Sequence, residues 1–204
     1  MEHVCLDLEG VLIPEIWAEV AEYTGEEQFK LTTQDLKDYS ELMDMRIDLV
    51  QSIGLSFLEI QSLVDKMEPF DGAREFIDWV RDNFQLTIVS DSFYELAWPL
   101  LRKLGTPSIN CHYLDIENNE LKGYTLRQLE NKKKVVQGLK DMKFKVFASG
   151  DSYNDIQMLK EADLGVFFQA PKHIREEFKE IEGVESHEDL KNLLIENSSF
   201  IGRT

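Results

Sequence analysis

The sequence predicts an α/β fold: a doubly wound parallel sheet with a small helical segment inserted after its first strand. Three observations carry this. Short apolar runs recur, and each ends in a polar, acidic or glycine-containing cluster. Segments of helical periodicity separate them. One long stretch, 15 to about 67, is helical in pattern throughout and contains no convincing strand. Apolar runs without alternation suit strands buried on both faces of a parallel sheet. Strand–helix alternation places ligands at the carboxyl ends of such strands.

In chain order, Val4-Cys5-Leu6 is the first run and opens into Asp7. The insert follows, with Ile16-Trp17, Val20-Ala21, Leu42-Met43, Ile47, Leu49-Val50, Phe57-Leu58, Ile60 and Leu63-Val64 at helical spacing. The expected organisation is a core of residues 1–14 and 68–204 and a helical cap of residues 15–67. A cap so placed can close over the strand ends as a lid. A helix over 73–83 shows Phe76, Ile77, Trp79 and Val80 on one side, and Leu86-Thr87-Ile88-Val89 then runs into Ser90-Asp91-Ser92. The helix over 94–104 stops at Gly105, a good helix terminator. Ser108-Ile109-Asn110-Cys111-His112 is a weaker strand, and Leu114 to Tyr124 reads as a hairpin turning at Asn118-Asn119. A helix over 135–142 leads to Val146-Phe147-Ala148 and Ser149-Gly150-Asp151, a helix over 155–162 to Leu164-Gly165-Val166-Phe167-Phe168, and an amphipathic helix over 188–195 closes the chain.

Composition bounds the partners. The 204 residues carry 22 Lys and Arg against 39 Asp and Glu, a net charge of −17. Nucleic acid and acidic membrane surfaces are poor partners for such a chain, because both are bound through clustered cations. No apolar run approaches the roughly 18–20 residues of a membrane span. The Met1-Glu2-His3 start lacks the basic and apolar regions of a secretory leader. Cys5 and Cys111 lie far apart in apolar contexts and read as buried free thiols, so a reduced cytoplasm is expected. Nothing in the sequence chooses between a monomer and a homodimer.

The chemistry concentrates at the strand ends. Asp7-Leu8-Glu9-Gly10-Val11 sets two carboxylates two residues apart where a buried strand enters a glycine turn. Residues i and i+2 of a strand face one side. Two anions on one side call for a cation, and hard oxygen ligands favour Mg²⁺. A carboxylate can also attack phosphorus to form an aspartyl-phosphate, and its neighbour can give and take the proton. Ser90 can hold phosphoryl oxygens through its hydroxyl and the backbone N–H groups around it. Lys132, Lys133 and Lys134 precede an apolar helix, where cations oppose the helix dipole and an ammonium can neutralise a phosphate. Asp151 and Asp155 supply a further metal ligand and a carboxylate behind it. His3, His112, His173 and His187 show no ligand spacing and read as structural or exposed, and Trp17, Trp79 and Trp98 read as core.

Asp7-Leu8-Glu9-Gly10-Val11, Ser90-Asp91, Lys132 and Gly150-Asp151-Ser152-Tyr153-Asn154-Asp155 fall in the order of the four motifs of the haloacid dehalogenase superfamily of phosphatases, which the chain resembles over nearly its whole length. The helical insert resembles the small cap of the phosphoserine phosphatase branch. Pro14-Glu15-Ile16-Trp17 and the Glu at position 9, where the superfamily usually carries Asp, resemble the bifunctional phosphoserine phosphatase/homoserine phosphotransferase group. The second acid argues against the dehalogenases. The resemblance implies a Rossmannoid core and Mg²⁺-dependent hydrolysis of phosphoserine, with homoserine as a second acceptor. Asp7 would be the nucleophile and a metal ligand. Glu9 would be the general acid/base, its backbone carbonyl on the metal. Ser90 and Lys132 would hold the phosphoryl group, with Lys133 the alternative lysine, and Asp91 would belong to the substrate-binding set. Asp151 would complete the metal site, and Asp155 would stand behind it. Asn154 would touch the substrate, Glu15 would pair with its ammonium and Arg46 with its carboxylate. A bidentate Arg suits a carboxylate and an anion suits an ammonium, so the last two select a zwitterion. The alternatives are a phosphatase of another small phosphorylated metabolite, or a receiver-like phospho-Asp module. A receiver, however, carries its phosphorylated Asp on a middle strand and has no helical insert.

Overall fold

Residues 1–33, 35–36 and 38–201 are described by a computed structural model of the chain. Seven strands form one sheet in the order β4-β3-β2-β1-β5-β6-β7. They are β1 (Glu2–Leu6), β2 (Gln85–Phe93), β3 (Ile109–Glu117), β4 (Glu120–Thr125), β5 (Lys145–Gly150), β6 (Leu164–Phe168) and β7 (Glu182–Val184). All neighbours pair in parallel except β3 and β4. Alternation within the runs explains their apolar continuity. Val4 and Leu6 face one core cluster and Cys5 the other; Phe147 opposes Val146 and Ala148 in the same way. β1 and β5 are therefore buried on both faces.

From β1 the chain builds outward to β2 and β3, then returns to β5 on the other side of β1. The order reverses between β1 and β5, which makes their carboxyl ends the crevice where ligands bind in such sheets. Leu6 pairs with Ser149, and Asp7 donates its N–H to the Ser149 carbonyl at 2.9 Å. Asp7 and the Gly150-Asp151 turn are thus set side by side.

Between β1 and β2 lie α1 (Ile16–Thr24), a 3₁₀ turn (Glu27–Lys30), α2 (Tyr39–Ser52) and α3 (Phe57–Val64), then α4 (Ala73–Asn83). Phe29, Met43, Val50, Ile60 and Val64 bury the inner faces of the insert. Its far side rests on the β3–β4 hairpin: Phe57 N–H donates to Asn119 O at 2.9 Å and Gln51 Nε2 to Leu121 O at 2.9 Å. Asn118 and Asn119 both take positive φ (50° and 66°), as a tight two-residue hairpin turn demands. The remaining helices are α5 (Tyr94–Lys103), α6 (Asn131–Asp141), α7 (Ile156–Glu161), α8 (Lys172–Glu177) and α9 (His187–Asn197). No single helix among the described residues is long and apolar enough to cross a membrane.

The elements depart from the sequence reading in three places. The weak strand at 108–112 and the first arm of the hairpin are one nine-residue strand, β3. Lys132, Lys133 and Lys134 lie inside the first turn of α6, which begins at Asn131. The short elements β7 and α8 give no apolar run or periodicity long enough to read.

Candidate active site

The strand ends and the insert enclose a cavity of about 170 Å³ lined by Asp7, Glu9, Glu15, Arg46, Ser90, Asp91, Lys132, Asp151 and Asn154 among others. Of the residues expected to act, only Asp155 lies outside that wall, directly behind it. The floor is Asp7, only 4% exposed. Its Oδ1 accepts the Leu8 N–H at 2.8 Å and its Oδ2 accepts from Lys132 Nζ at 2.7 Å. Lys132, 3% exposed, donates equally to Asp155 Oδ1 at 2.7 Å and stands 3.8 Å from Asp91. Lys133 is partly exposed and faces Glu130 instead, which singles out Lys132 as the site lysine. A cation in the first turn of α6 opposes the helix dipole, and these carboxylates offset that cost.

The other strand ends supply the walls. The Ser90 hydroxyl, where the regular pairing of β2 breaks off after Val89, accepts the Ser92 N–H at 3.1 Å. Asp91 is held from several sides: Tyr39 OH donates to its carbonyl at 2.7 Å, Asn154 Nδ2 donates to its Oδ2 at 3.1 Å, and His112 Nε2 lies 3.7 Å from its Oδ1. Asp155, fully buried, accepts the N–H groups of Asp151 and Ser152 at 3.0 and 3.1 Å and so shapes the turn that presents Asp151. Two glycines are obligatory here. A Cβ on Gly10, whose φ is +76°, would stand 2.3 Å from the Asp151 carboxylate, and one on Gly150 would stand 2.2 Å from Asp155 Cγ.

Glu9 reaches out of the core. Its Oε1 accepts the Ile16 N–H at 2.8 Å and caps the start of α1 in place of Glu15, whose own side chain makes no cap. The extra methylene of Glu spans this gap. Arg46 forms the roof. It is buried, stacks its guanidinium 5.0 Å from the Trp17 ring centre and donates from Nη2 to Leu31 O at 2.8 Å; its Nε has no partner. Trp17 is core, as expected, and also cavity wall. Tyr39, Thr33 and Leu42 line the cavity too; the sequence shows Leu42 only as an apolar helix position and gives no signal for Tyr39 or Thr33, since which side of the insert meets the core is a tertiary matter.

Charge in the cavity is unbalanced, with five acids on its wall against Arg46 and Lys132. Burial, reinforced by Asp155, pushes the Asp7 carboxyl well above the ordinary range despite the pull of Lys132. Burial and then Asp155 push Asp151 up to about 7. Burial raises Glu9, against the Ile16 amide that favours its anion. Glu15 lies at the cavity mouth, accessible to water yet crowded by protein, and that desolvation followed by Glu9 pushes it to about 7. Burial lowers the Lys132 ammonium, but Asp155, Asp7 and Asp91 outweigh it and hold the group well above its usual range. Asp7, Asp151 and Asp155 bring carboxylate oxygens within 4.8 Å of one another, and such a set of hard, crowded anions fits a divalent cation.

Residues 1–163 match the family model of haloacid dehalogenase-like hydrolases. The chain belongs to that family. It is 45% identical to phosphoserine phosphatase ThrH of Pseudomonas aeruginosa over 98% of both proteins. It is 43% identical to a phosphoserine phosphatase of Pseudomonas syringae pv. tomato over 98% of this chain and 84% of that protein. The fold is shared with solved members of the family. One is a phospho-aspartyl intermediate analogue of a phosphoserine phosphatase (TM-score 0.78, 23% identity, 94% of this chain and 98% of that one). Another is a substrate-bound phosphoserine phosphatase complex (TM-score 0.78, 21% identity, 95% and 96%).

Proposed function

We propose that this protein is a Mg²⁺-dependent phosphoserine phosphatase that works through an aspartyl-phosphate on Asp7 and also passes the phosphoryl group to homoserine. The observation that carries the reading is the cavity's two ends. A buried Asp paired to Lys132 lies at the floor, and Arg46 with an unpartnered buried Nε lies at the roof beside Glu15. The floor suits a phosphoryl group, and the roof suits the carboxylate and ammonium of an amino acid. Residues 15–67 act as the cap, and 1–14 with 68–204 as the core.

Asp7 attacks phosphorus. The serine oxygen leaves and takes its proton from Glu9, while Lys132 and the Ser90 hydroxyl hold the phosphoryl oxygens. A second hydroxyl then attacks the aspartyl-phosphate and gives its proton to Glu9, which regenerates Asp7. Water as the second hydroxyl yields phosphate; homoserine yields phosphohomoserine. Asp7, Asp151 and the Glu9 carbonyl would hold Mg²⁺, with Asp155 orienting Asp151 from behind. When bound, that ion offsets the repulsion between the Asp7 anion and the phosphate. Asn154 and Asp91 fix the wall beside the substrate. The buried free thiols of Cys5 and Cys111 suit a reduced cytoplasm.

The test is incubation of the purified protein with Mg²⁺ and phosphoserine, with and without homoserine, measuring free phosphate and phosphohomoserine. Phosphate release is expected alone, with phosphohomoserine added when homoserine is present. No consumption of phosphoserine, beside rapid turnover of another phosphorylated metabolite, would overturn the substrate; phosphate release without phosphohomoserine would remove the transfer activity.

A further inference from the structure

Both linkers between the core and the helical insert run past one side chain, His187. The outgoing linker follows the Glu9-Gly10 turn and presents the Val11 carbonyl. The returning linker comes back through Phe70, Asp71 and Gly72. Phe70 N–H ties the two together by donating to Leu12 O at 2.9 Å. His187 opens α9, whose start is fixed by the Ser186 hydroxyl accepting from Asp189 N–H at 3.1 Å. Its Nε2 lies 2.8 Å from Val11 O, across 176 positions of sequence. A carbonyl only accepts, so Nε2 carries the hydrogen. The ring also lies against the returning linker, with Nδ1 4.0 Å from where a Cβ on Gly72 would stand. Phe168 and Phe76 stack on the ring at 4.6 and 5.1 Å between centroids.

We propose that His187 is a positioning residue for the reaction: by holding the Val11 carbonyl and the returning linker together, it sets the Glu9-Gly10 turn and the insert in their working register. His187 touches no reacting atom, and its role rests on the phosphatase reading above. The mechanical reason is close at hand. Val11 is two residues from Glu9, and the turn between them is already crowded against Asp151 at Gly10. Proton transfer from Glu9 requires hydrogen-bond reach to the leaving oxygen, so a small drift of this turn weakens catalysis more than binding.

Two variants separate the hydrogen bond from the packing. His187→Phe keeps a ring between Phe168 and Phe76 and removes the donor; His187→Gln keeps an N–H donor and removes the ring. Phosphoserine turnover by the His187→Phe variant is expected to fall about tenfold in kcat with KM within about twofold. His187→Gln is expected to recover most of kcat at a lower melting temperature. Amide hydrogen exchange at Gly10 and Phe70 should quicken in His187→Phe while β1 and β2 exchange as in the wild type. Wild-type kcat in His187→Phe, a larger kcat loss in His187→Gln than in His187→Phe, or unchanged exchange at Gly10 and Phe70 would each overturn the proposal. The exchange measurement needs no substrate. Wild-type turnover of phosphoserine tests the parent reading separately, with a generic aryl phosphate as the fallback substrate for the comparison.

Discussion

Replacing Lys132 with Met keeps the side chain's length and removes its charge. The ammonium sits 2.7 Å from both Asp7 Oδ2 and Asp155 Oδ1, and all three side chains are buried. At 2.7 Å, and with an effective dielectric of about 20, each pair attracts by about 6 kcal/mol before desolvation. Burying the ammonium costs several kcal/mol, which the variant escapes, but it leaves two buried carboxylates facing each other. A net loss of about 3–5 kcal/mol is expected, a large share of the 5–15 kcal/mol by which proteins of this kind are stable. With an m-value of about 3 kcal/mol/M, the urea midpoint in metal-free buffer should fall by roughly 1–1.7 M. The Lys132→Met/Asp155→Asn double variant removes one acid along with the cation and should be more stable than the two single losses added together, by about 1–3 kcal/mol. Lys132→Arg, which keeps the charge, should lose less than Lys132→Met. A Lys132→Met midpoint within experimental error of the wild type, or strict additivity in the double variant, would refute the view of Lys132 as the charge that holds the acids together.

Gly10→Ala should cut phosphate release by at least about tenfold, because its Cβ meets the Asp151 carboxylate at 2.3 Å and its φ of +76° is strained for Ala; unchanged activity at saturating substrate would count against the crowded turn. Arg46→Ala should lower kcat/KM for phosphoserine about a hundredfold, as expected for a lost charge-assisted pair, and affect a generic aryl phosphate far less; equal losses on both would remove Arg46 as the carboxylate clamp. His3 is buried beside Thr87, its Nδ1 has no partner, and burial pushes it down to about 4. The unfolded chain therefore takes up this proton first. The contribution of His3 is full above about pH 6.5 and is lost as pH falls toward 4, by about 2 kcal/mol after allowance for partial solvent access. Urea unfolding at pH 7 and pH 4.5 should show a smaller difference for His3→Gln than for the wild type.

The strand ends were legible because burial on both faces writes continuous apolar runs, and a carboxylate or hydroxyl at the end of such a run has nowhere to point but the crevice. Asp7, Ser90 and Asp151 all follow from that one rule, whereas Asp155 turns back to hold the Asp151 and Ser152 amides. Lys132 was legible as a cation but not as a helical one: its charge opposes the helix dipole, and only the buried Asp7 and Asp155 explain why α6 starts there. β3 reads as two pieces because the polar His112 and the exposed Tyr113 break its apolar pattern, although His112 is sheltered by neighbours distant in sequence. The roof was less legible. Arg46 and Glu15 stood out through family resemblance, while Tyr39 and Thr33 depend on which face of the insert turns toward the core. His187 reads as structural or exposed; it is half-buried, and its contacts to Val11 and to the linker at Gly72 lie more than 100 positions away, beyond any local pattern.

The most direct test of the account is a rapid acid quench of the protein turning over phosphoserine with Mg²⁺, followed by mass analysis of its peptides. The account predicts one added phosphoryl group on the peptide containing Asp7, and neither that adduct nor phosphate release from the Asp7→Asn variant. A phosphoryl group on a different residue, or near-normal phosphate release by Asp7→Asn, would contradict it.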